Sequence, residues 1–462
     1  MGVPLFKIIE KYAPRSIKKC SIDKYEGEKF MVDTANRVMQ YTMPQFKNEK
    51  NITKKDGKLI VHLKALISIE LNLLNNGISP IHVIDGKASS IKNNTLYERR
   101  KVRNKAKTIL NKSDEYTLSK MERTKLLKKS YTLDKNDYDD IKKLLDLIGL
   151  PYIQATEEAD AVCAAVNNNG SVYGVISQDM DLLVFGASTM LKDFSSSNKK
   201  KIKEINLKIM LEEMGFTKEQ FVELCILLGT DYCPHIRCLK PFEIYDIYKQ
   251  CGSIEKFLEF IENENKKKGR RGIKYKIHSD FVNKWKLAKE YYLHPKLNKD
   301  LISNVKFKWN EPDIDGLMKF LCDENDFNRR DTKRKLKKIM VMYQHYKSTG
   351  KIYSIYGDNW DREQQNKYYR KHKYKKYNRY NNHKHNYQYN NHKHNYQYNH
   401  QNNTQNNTQY KRYKRCNPLG EYNIRNIREK NDNDFKDLKW NVNTSLVNPR
   451  PNSRQREVNR VF

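Results

Sequence analysis

Seven carboxylates in this chain follow or adjoin short apolar runs: Asp33 in MVDTAN, Asp85 in HVIDGK, Glu158 and Asp160 in ATEEADAV, Asp179 and Asp181 in ISQDMDLL, and Asp231 in LLGTDYC. Singly, each has an ordinary explanation, since an aspartate after a strand most often caps a helix or forms a turn. Together they describe chemistry. The runs KFMVD, IHVID and VYGVISQD are rich in Val and Ile and read as buried parallel strands. An open α/β sheet collects its functional groups at the carboxyl ends of its strands, so acids as distant in sequence as Asp33 and Asp231 can converge there. Converging carboxylates repel and ionise together only with cations between them. A donor set made of oxygens, with no His or Cys in it, suits Mg²⁺ or Mn²⁺.

The elements that would position these acids follow from periodicity. Val3 to Tyr12 has helical spacing, a strand enters at Lys29 to Asp33, LIVHLKALISIELNLLNNG is a long helix stopped by Gly77, and PIHVID is the next strand, which makes a βαβ unit. From Lys87 to about Asp139 the chain turns basic and poor in core formers, and reads as two polar helices inserted between core elements. Lys92 and Arg99 are seven apart, hence on one helical face. YDDIKKLLDLIGLPYIQA is a helix and a strand. The next helix spans Glu157 to Val166 with Thr156 as its N-cap. Glu158 and Asp160, two apart, do not share a helical face and reach a common point only from the first turn. SVYGVISQDMDLLVFG is a strand and a turn, and the segment around Thr230 to Pro241 is a loop between two helices. Further helices run to Gln344.

The charge says what such a site would act on. Lys and Arg number 89 against 55 Asp and Glu, a net charge of +34, and the segment from Lys351 to Phe462 holds 24 of the cations and 9 of the acids. A strongly basic chain with a carboxylate cluster points to a polyanion held through its phosphates. The eight cysteines form no CxxC pair, no apolar run is long enough for a membrane span, and the start lacks a secretory apolar stretch. A reduced intracellular setting is expected, at the nucleus or a viral or cytoplasmic site of DNA replication. Past Lys351, NNHKHNYQY at Asn381 to Tyr389 repeats at Asn390 to Tyr398 and NNTQ repeats at Asn402 to Gln409, a pattern expected to be disordered.

In order and spacing, MGV, VDTAN, HVIDGK, LLDLIGLPYIQATEEADAV, SQDMDLLVFG, FVELCILLGTDYC and KWNEP resemble the structure-specific flap endonucleases, a 5′ nuclease family of XPG type, from Met1 to about Tyr343. The resemblance implies an α/β fold with a mostly parallel central sheet, a PIN-like core, a helical arch and a helix–hairpin–helix element. Its regions would be 1–105 (N-terminal nuclease region), 88–139 (basic arch), 140–265 (internal nuclease region, with the hairpin element near 220–260), 266–350 (C-terminal helical part) and 351–462 (basic tail). It implies two Mg²⁺ ions, Mn²⁺ being an alternative, with Asp33, Asp85, Glu158 and Asp160 around one and Asp179, Asp181 and Asp231 around the other. Lys92 and Arg99 would neutralise charge on the scissile phosphate, and Gly2, Met39, Arg237 and Lys240 would contact DNA. The substrate would be DNA with a 5′ flap or nick, bound by a monomer.

Three departures stand out. Arg237-Cys238-Leu239-Lys240-Pro241 replaces the family's Gly-Ile-Gly-Pro hairpin, Met39 stands where the family often has a base-stacking aromatic, and Asp160 replaces Glu. Gln455, Val458 and Phe462 in QREVNRVF have part of a sliding-clamp spacing, but Val461 breaks the aromatic pair. The Asn, Lys, Ile and Tyr bias points to an AT-rich genome such as that of a large DNA virus. The rivals are a 5′-3′ exonuclease or an RNA-directed nuclease of the same class, and a DNA-binding scaffold without cleavage.

Overall fold

The computed structural model describes residues 2–47, 52–87, 89–112, 118–194, 202–234, 236, 239–267, 275, 277–305 and 307–354. Helix α1 (Gly2–Tyr12) leads to the strand β1 (Ile17–Cys20). Strand β2 (Lys29–Asp33) runs straight into α2 (Thr34–Gln45), and α3 (Val61–Asn75) returns the chain to β3 (Ser79–Ile84). The basic insert follows as α4 (Asn93–Lys112) and α5 (Lys120–Ser130), which pack on each other. Then come α6 (Lys135–Ile148), β4 (Tyr152–Gln154), α7 (Ala159–Asn168), β5 (Gly174–Ile176), α8 (Asp181–Phe185), β6 (Thr189–Lys192), β7 (Ile202–Asn206) and α9 (Leu207–Met214). Helices α10 (Lys218–Leu228), α11 (Pro241–Cys251), α12 (Ile254–Lys267), α13 (Ser279–Leu293), α14 (Lys299–Ser303), α15 (Ile314–Met318) and α16 (Arg329–Thr349) complete the described chain, with a π turn at Lys319–Glu324 between the last two.

Among the described residues the sheet has seven strands in the order β1-β7-β6-β5-β2-β3-β4. Pairings among β4, β3, β2, β5 and β6 are parallel; β7 is antiparallel to both β6 and β1. The period of two along each strand divides the core. Met31, Ile81, Val83 and Val175 enter one apolar cluster, with α7, α10, α11 and α13. Phe30, Val32, Ile84 and Ile176 enter the other, with α3, α6 and α16. Both faces being covered is why these strands read as continuous apolar runs. Pairing in register sets Asp33 opposite Val83, so β2 and β3 end together.

The basic insert is rooted at both ends. At its far end Leu127 and Tyr131 pack on Phe46, Ile52 and Val61, with the Tyr131 and Phe46 rings 5.3 Å apart. Nearby the fully buried His62 of α3 lies 3.2 Å from both Asp137 and Asp140 of α6. The chain stays folded a little past α16: Ile352 is buried, and Ser354 bridges Asn76 and donates its N–H to Glu26 Oε1 at 2.8 Å. The rest of the tail, from 355, lies outside the described residues.

Candidate active site

The β2–α2 junction presents Asp33. It is the last residue of β2 and the N-cap of α2, its Oδ1 accepting from Asn36 N–H at 3.1 Å. The capping role and a ligand role are compatible, because capping occupies one oxygen. Asp85 follows β3, with Oδ1 accepting from Ala159 N–H at 3.0 Å and Tyr138 OH 3.5 Å from Oδ2. This contact depends on Gly86: a Cβ there would lie 2.3 Å from both the Ala155 and Thr156 carbonyl oxygens, so only glycine lets the β3 and β4 loops close together. Helix α7 begins at Ala159 with Glu158 as its N-cap, and not at Glu157 with Thr156 capping. The shift results from Asp85 taking the Ala159 N–H, which makes Asp85 the acceptor at this helix end. Glu158 thus projects from just outside the helix and Asp160 from its first turn.

Asp179 sits between β5 and α8 and Asp181 opens α8, with Asp181 N–H donating to Asp179 Oδ1 at 3.2 Å. Tyr292 of α13 donates its hydroxyl to Asp181 Oδ2 at 2.9 Å. Gly229, at φ +94°, ends α10 and turns the chain toward Asp231. The acids feel one another. Burial, then the charge of Asp85, raises the Asp33 carboxyl well above the usual range, against the Asn36 N–H. Burial and the charges of Asp33, Asp179, Asp181 and Asp85 do the same to Asp160. Burial and Asp179 push Asp181 up to about 7. Asp85 and Glu158 are also raised, mainly by burial.

The insert supplies the cations. Lys92, at the end of a short 3-10 turn before α4, places Nζ 2.9 Å from Glu158 Oε2 and 3.4 Å from Asp231 Oδ2. Arg99 of α4 donates to Asp231 Oδ1 at 2.7 Å, and Thr95 to the Asp231 carbonyl at 2.7 Å. Burial pulls the Lys92 ammonium down, but Glu158 and Asp231 outweigh it and its pKa ends above the ordinary value. Among the described residues no three His, Cys, Asp or Glu side chains meet closely enough to hold a metal ion. Here the acids are held by protein groups instead: Glu158 and Asp231 by Lys92 and Arg99, Asp33 and Asp85 by backbone N–H groups. The donor set still fits a hard divalent cation. It is all oxygen, and Asp160 Oδ1, shielded from solvent on a half-buried side chain, has no hydrogen-bond partner, a costly arrangement unless a cation takes it.

Sequence patterns gave no signal for the tyrosines that serve this cluster. Tyr138 and Tyr292 come from remote helices and reach Asp85 and Asp181, and Tyr232, beside Asp231, carries Lys92 Nζ 5.6 Å over its ring. Of the expected DNA contacts, Met39 is half-buried on α2, the helix that Asp33 caps. Gly2 opens α1, but its surroundings, like Arg237 and Cys238, lie outside the described residues. Lys240 is exposed at the N-cap of α11, and its backbone N–H donates to Glu243 Oε2 at 2.7 Å.

Carboxylates at the ends of parallel strands, beneath basic helices, define a phosphodiester-cleaving nuclease with an α/β core. The sequence profile of the XPG N-terminal domain matches residues 1–106 and that of the XPG I-region residues 149–231. Flap endonuclease 1 of Entamoeba histolytica is 34% identical over 344 residues, covering 73% of this chain and 87% of that protein. Flap endonuclease 1 of Xiphophorus maculatus is 35% identical over 344 residues, covering 74% and 87%. In three dimensions the chain is similar to flap endonuclease-1 from Methanococcus jannaschii (TM-score 0.53, 23% identity, 71% of this chain and 96% of that one). It is also similar to the catalytic core of Rad2 in complex with DNA substrate (TM-score 0.56, 19% identity, 73% and 100%). The chain belongs to the flap endonuclease family and is a structure-specific 5′ nuclease. Nucleases of this family depend on divalent metal.

Proposed function

We propose that this protein binds DNA bearing a 5′ flap or nick and cleaves it by Mg²⁺-dependent phosphodiester hydrolysis during replication and repair, as a monomer. The observation that carries this reading is the insertion of Lys92 and Arg99 between carboxylates drawn from separate loops, Glu158 after β4 and Asp231 after α10. A purely structural acid cluster has no need of a basic arm reaching it from an exposed helix. Asp33, Asp85, Glu158 and Asp160 would hold one ion and Asp179, Asp181 and Asp231 a second. Ions held there would supply an activated water and a stabilised leaving oxygen. The chain's own groups do the rest. Asp33 and Asp85 keep one oxygen each on backbone N–H groups, which fixes their direction. Tyr292 does the same for Asp181. When a phosphate enters, Lys92 and Arg99 exchange their carboxylate partners for its oxygens and stabilise the charge that grows there.

The test is cleavage of labelled flap, nicked and blunt duplexes with Mg²⁺ and with EDTA. Mg²⁺-dependent incision at the flap junction supports the reading. Stepwise release of nucleotides from blunt ends alone would favour the exonuclease, and tight binding without cleavage the scaffold.

A further inference from the structure

Beside the carboxylate cluster, at the foot of the arch, a cavity of about 550 Å³ is lined by Lys87, Ser89, Thr156, Glu157, Tyr291 and Lys296, among others. Its size is within the roughly 300–1,000 Å³ of ordinary ligand pockets. Its frame is fixed by backbone pairing: Gly86 N–H donates to the Glu157 carbonyl at 2.7 Å and Lys87 N–H to the Thr156 carbonyl at 3.2 Å. The cavity therefore shares both its loops with the site. Lys87 stands two residues beyond Asp85, and Glu157 immediately before Glu158. The partition between them is aromatic, with the Tyr291 ring 4.8 Å from that of Tyr232, over which Lys92 lies.

The side chains divide into support and reception. Glu157 Oε2 is shielded from solvent, while its Oε1 lies 3.8 Å from Lys296 Nζ, so the carboxylate draws a mostly exposed lysine over the cavity. Lys87 is exposed on another part of the lining. Two ammonium groups with the Ser89 and Thr156 hydroxyls nearby are donors of the kind that bind a nucleotide's phosphate and sugar without reading its base.

We propose that this cavity is a second phosphate subsite, taking the sugar-phosphate of the nucleotide next to the scissile linkage on the cleaved strand, with its phosphate between Lys87 and Lys296. The proposal rests on the nuclease reading above. It is tested with the full chain and a Lys87→Ala/Lys296→Ala variant on flap DNAs carrying one neutral methylphosphonate at a time on either side of the scissile linkage. Binding is followed over a salt series in EDTA, and single-turnover cleavage in Mg²⁺. At one position the neutral linkage should lower the slope of log Kd against log salt by about 1 for the unaltered protein. The double variant should show a similar loss on unmodified DNA and no further loss at that position. Unchanged binding by the double variant, or additive losses at every position, overturns the subsite. If the double variant still cleaves unmodified flaps at saturation while the losses add, the subsite alone fails. If the unaltered protein cleaves no DNA with Mg²⁺, the nuclease reading fails and the subsite with it.

Discussion

Lys92 occupies the place in the carboxylate cluster where a cation is most needed, 2.9 Å from Glu158 and 3.4 Å from Asp231. A lysine that only balanced charge could be replaced by metal at little loss. One that turns to the phosphate stabilises the transition state. Lys92→Ala and Arg99→Ala should each lower the single-turnover rate by roughly 10²-fold or more with Mg²⁺ dependence little changed. Equal losses in affinity with the saturated rate intact would make both of them plain phosphate contacts. The acids carry a pH signature of their own. An unfolded aspartate titrates near 3.8, whereas Asp181 in the fold is pushed up to about 7, and Asp33 and Asp160 are well above the usual range. The fold thus keeps protons that the unfolded chain releases. Stability that is fully present below the unfolded value is lost as pH rises through the folded one. In EDTA, Tm should fall between about pH 5 and about pH 8, and Mg²⁺ should restore most of it. Asp160→Asn, neutral and of similar size, should flatten that fall. A metal-free Tm that is constant or rising over this range contradicts the assignment.

At the scale of elements, the basic insert is bolted to the site by the ion pairs that the proposed reaction would have to break. If Glu158 and Asp231 are metal ligands as proposed, Mg²⁺ competes with Lys92 and Arg99 for them. Adding Mg²⁺ to the DNA-free protein should therefore speed amide exchange in the first turns of α4, leaving α5 near Tyr131 protected by its contact with Phe46. Slower or unchanged exchange in α4 would mean that the arch is held by something else. The central strands were legible in the sequence because burial on both faces writes Val and Ile without interruption, and acids follow them directly. β1 and β7 were not, since IKKC and IKEIN mix lysines and a glutamate into short strands at one side of the sheet. The start of α7 was misplaced because a lone sequence window cannot reveal that Asp85, from another loop, takes the Ala159 N–H. The same limit hid Tyr138 and Tyr292: a hydroxyl supplied from a distant helix leaves no spacing to read.

Across the whole molecule, the positive charge is divided between the part that holds the site and the segment beyond it. The segment from 355 holds no residue of the proposed catalytic set, and much of the +34 charge lies in it. Its removal should leave Tm and the single-turnover rate near those of the full chain, while weakening DNA binding at low salt and making its salt dependence shallower. Cutting at 351 should instead lower Tm, because Ile352 is buried and Ser354 is tied to Glu26 and Asn75. Burying one such aliphatic side chain is worth about 1.5–3 kcal/mol. Identical Tm values for the two truncations would show that this short anchor is idle.

The central claim is that the seven acids work as metal ligands, and not only as structural caps. It is tested most directly by Asp179→Ala, measured for single-turnover flap cleavage at saturating enzyme over a Mg²⁺ series, with DNA binding followed in parallel. Among the described residues the Asp179 carboxylate accepts only from Asp181 N–H, within its own turn, so its loss should leave the fold standing. The account predicts cleavage lower by about 10³-fold or more at every Mg²⁺ concentration, with binding equal to the unaltered protein or tighter, since one negative charge near the phosphates is gone. Cleavage that returns to the unaltered rate at high Mg²⁺, or that was never sensitive to EDTA, would contradict it.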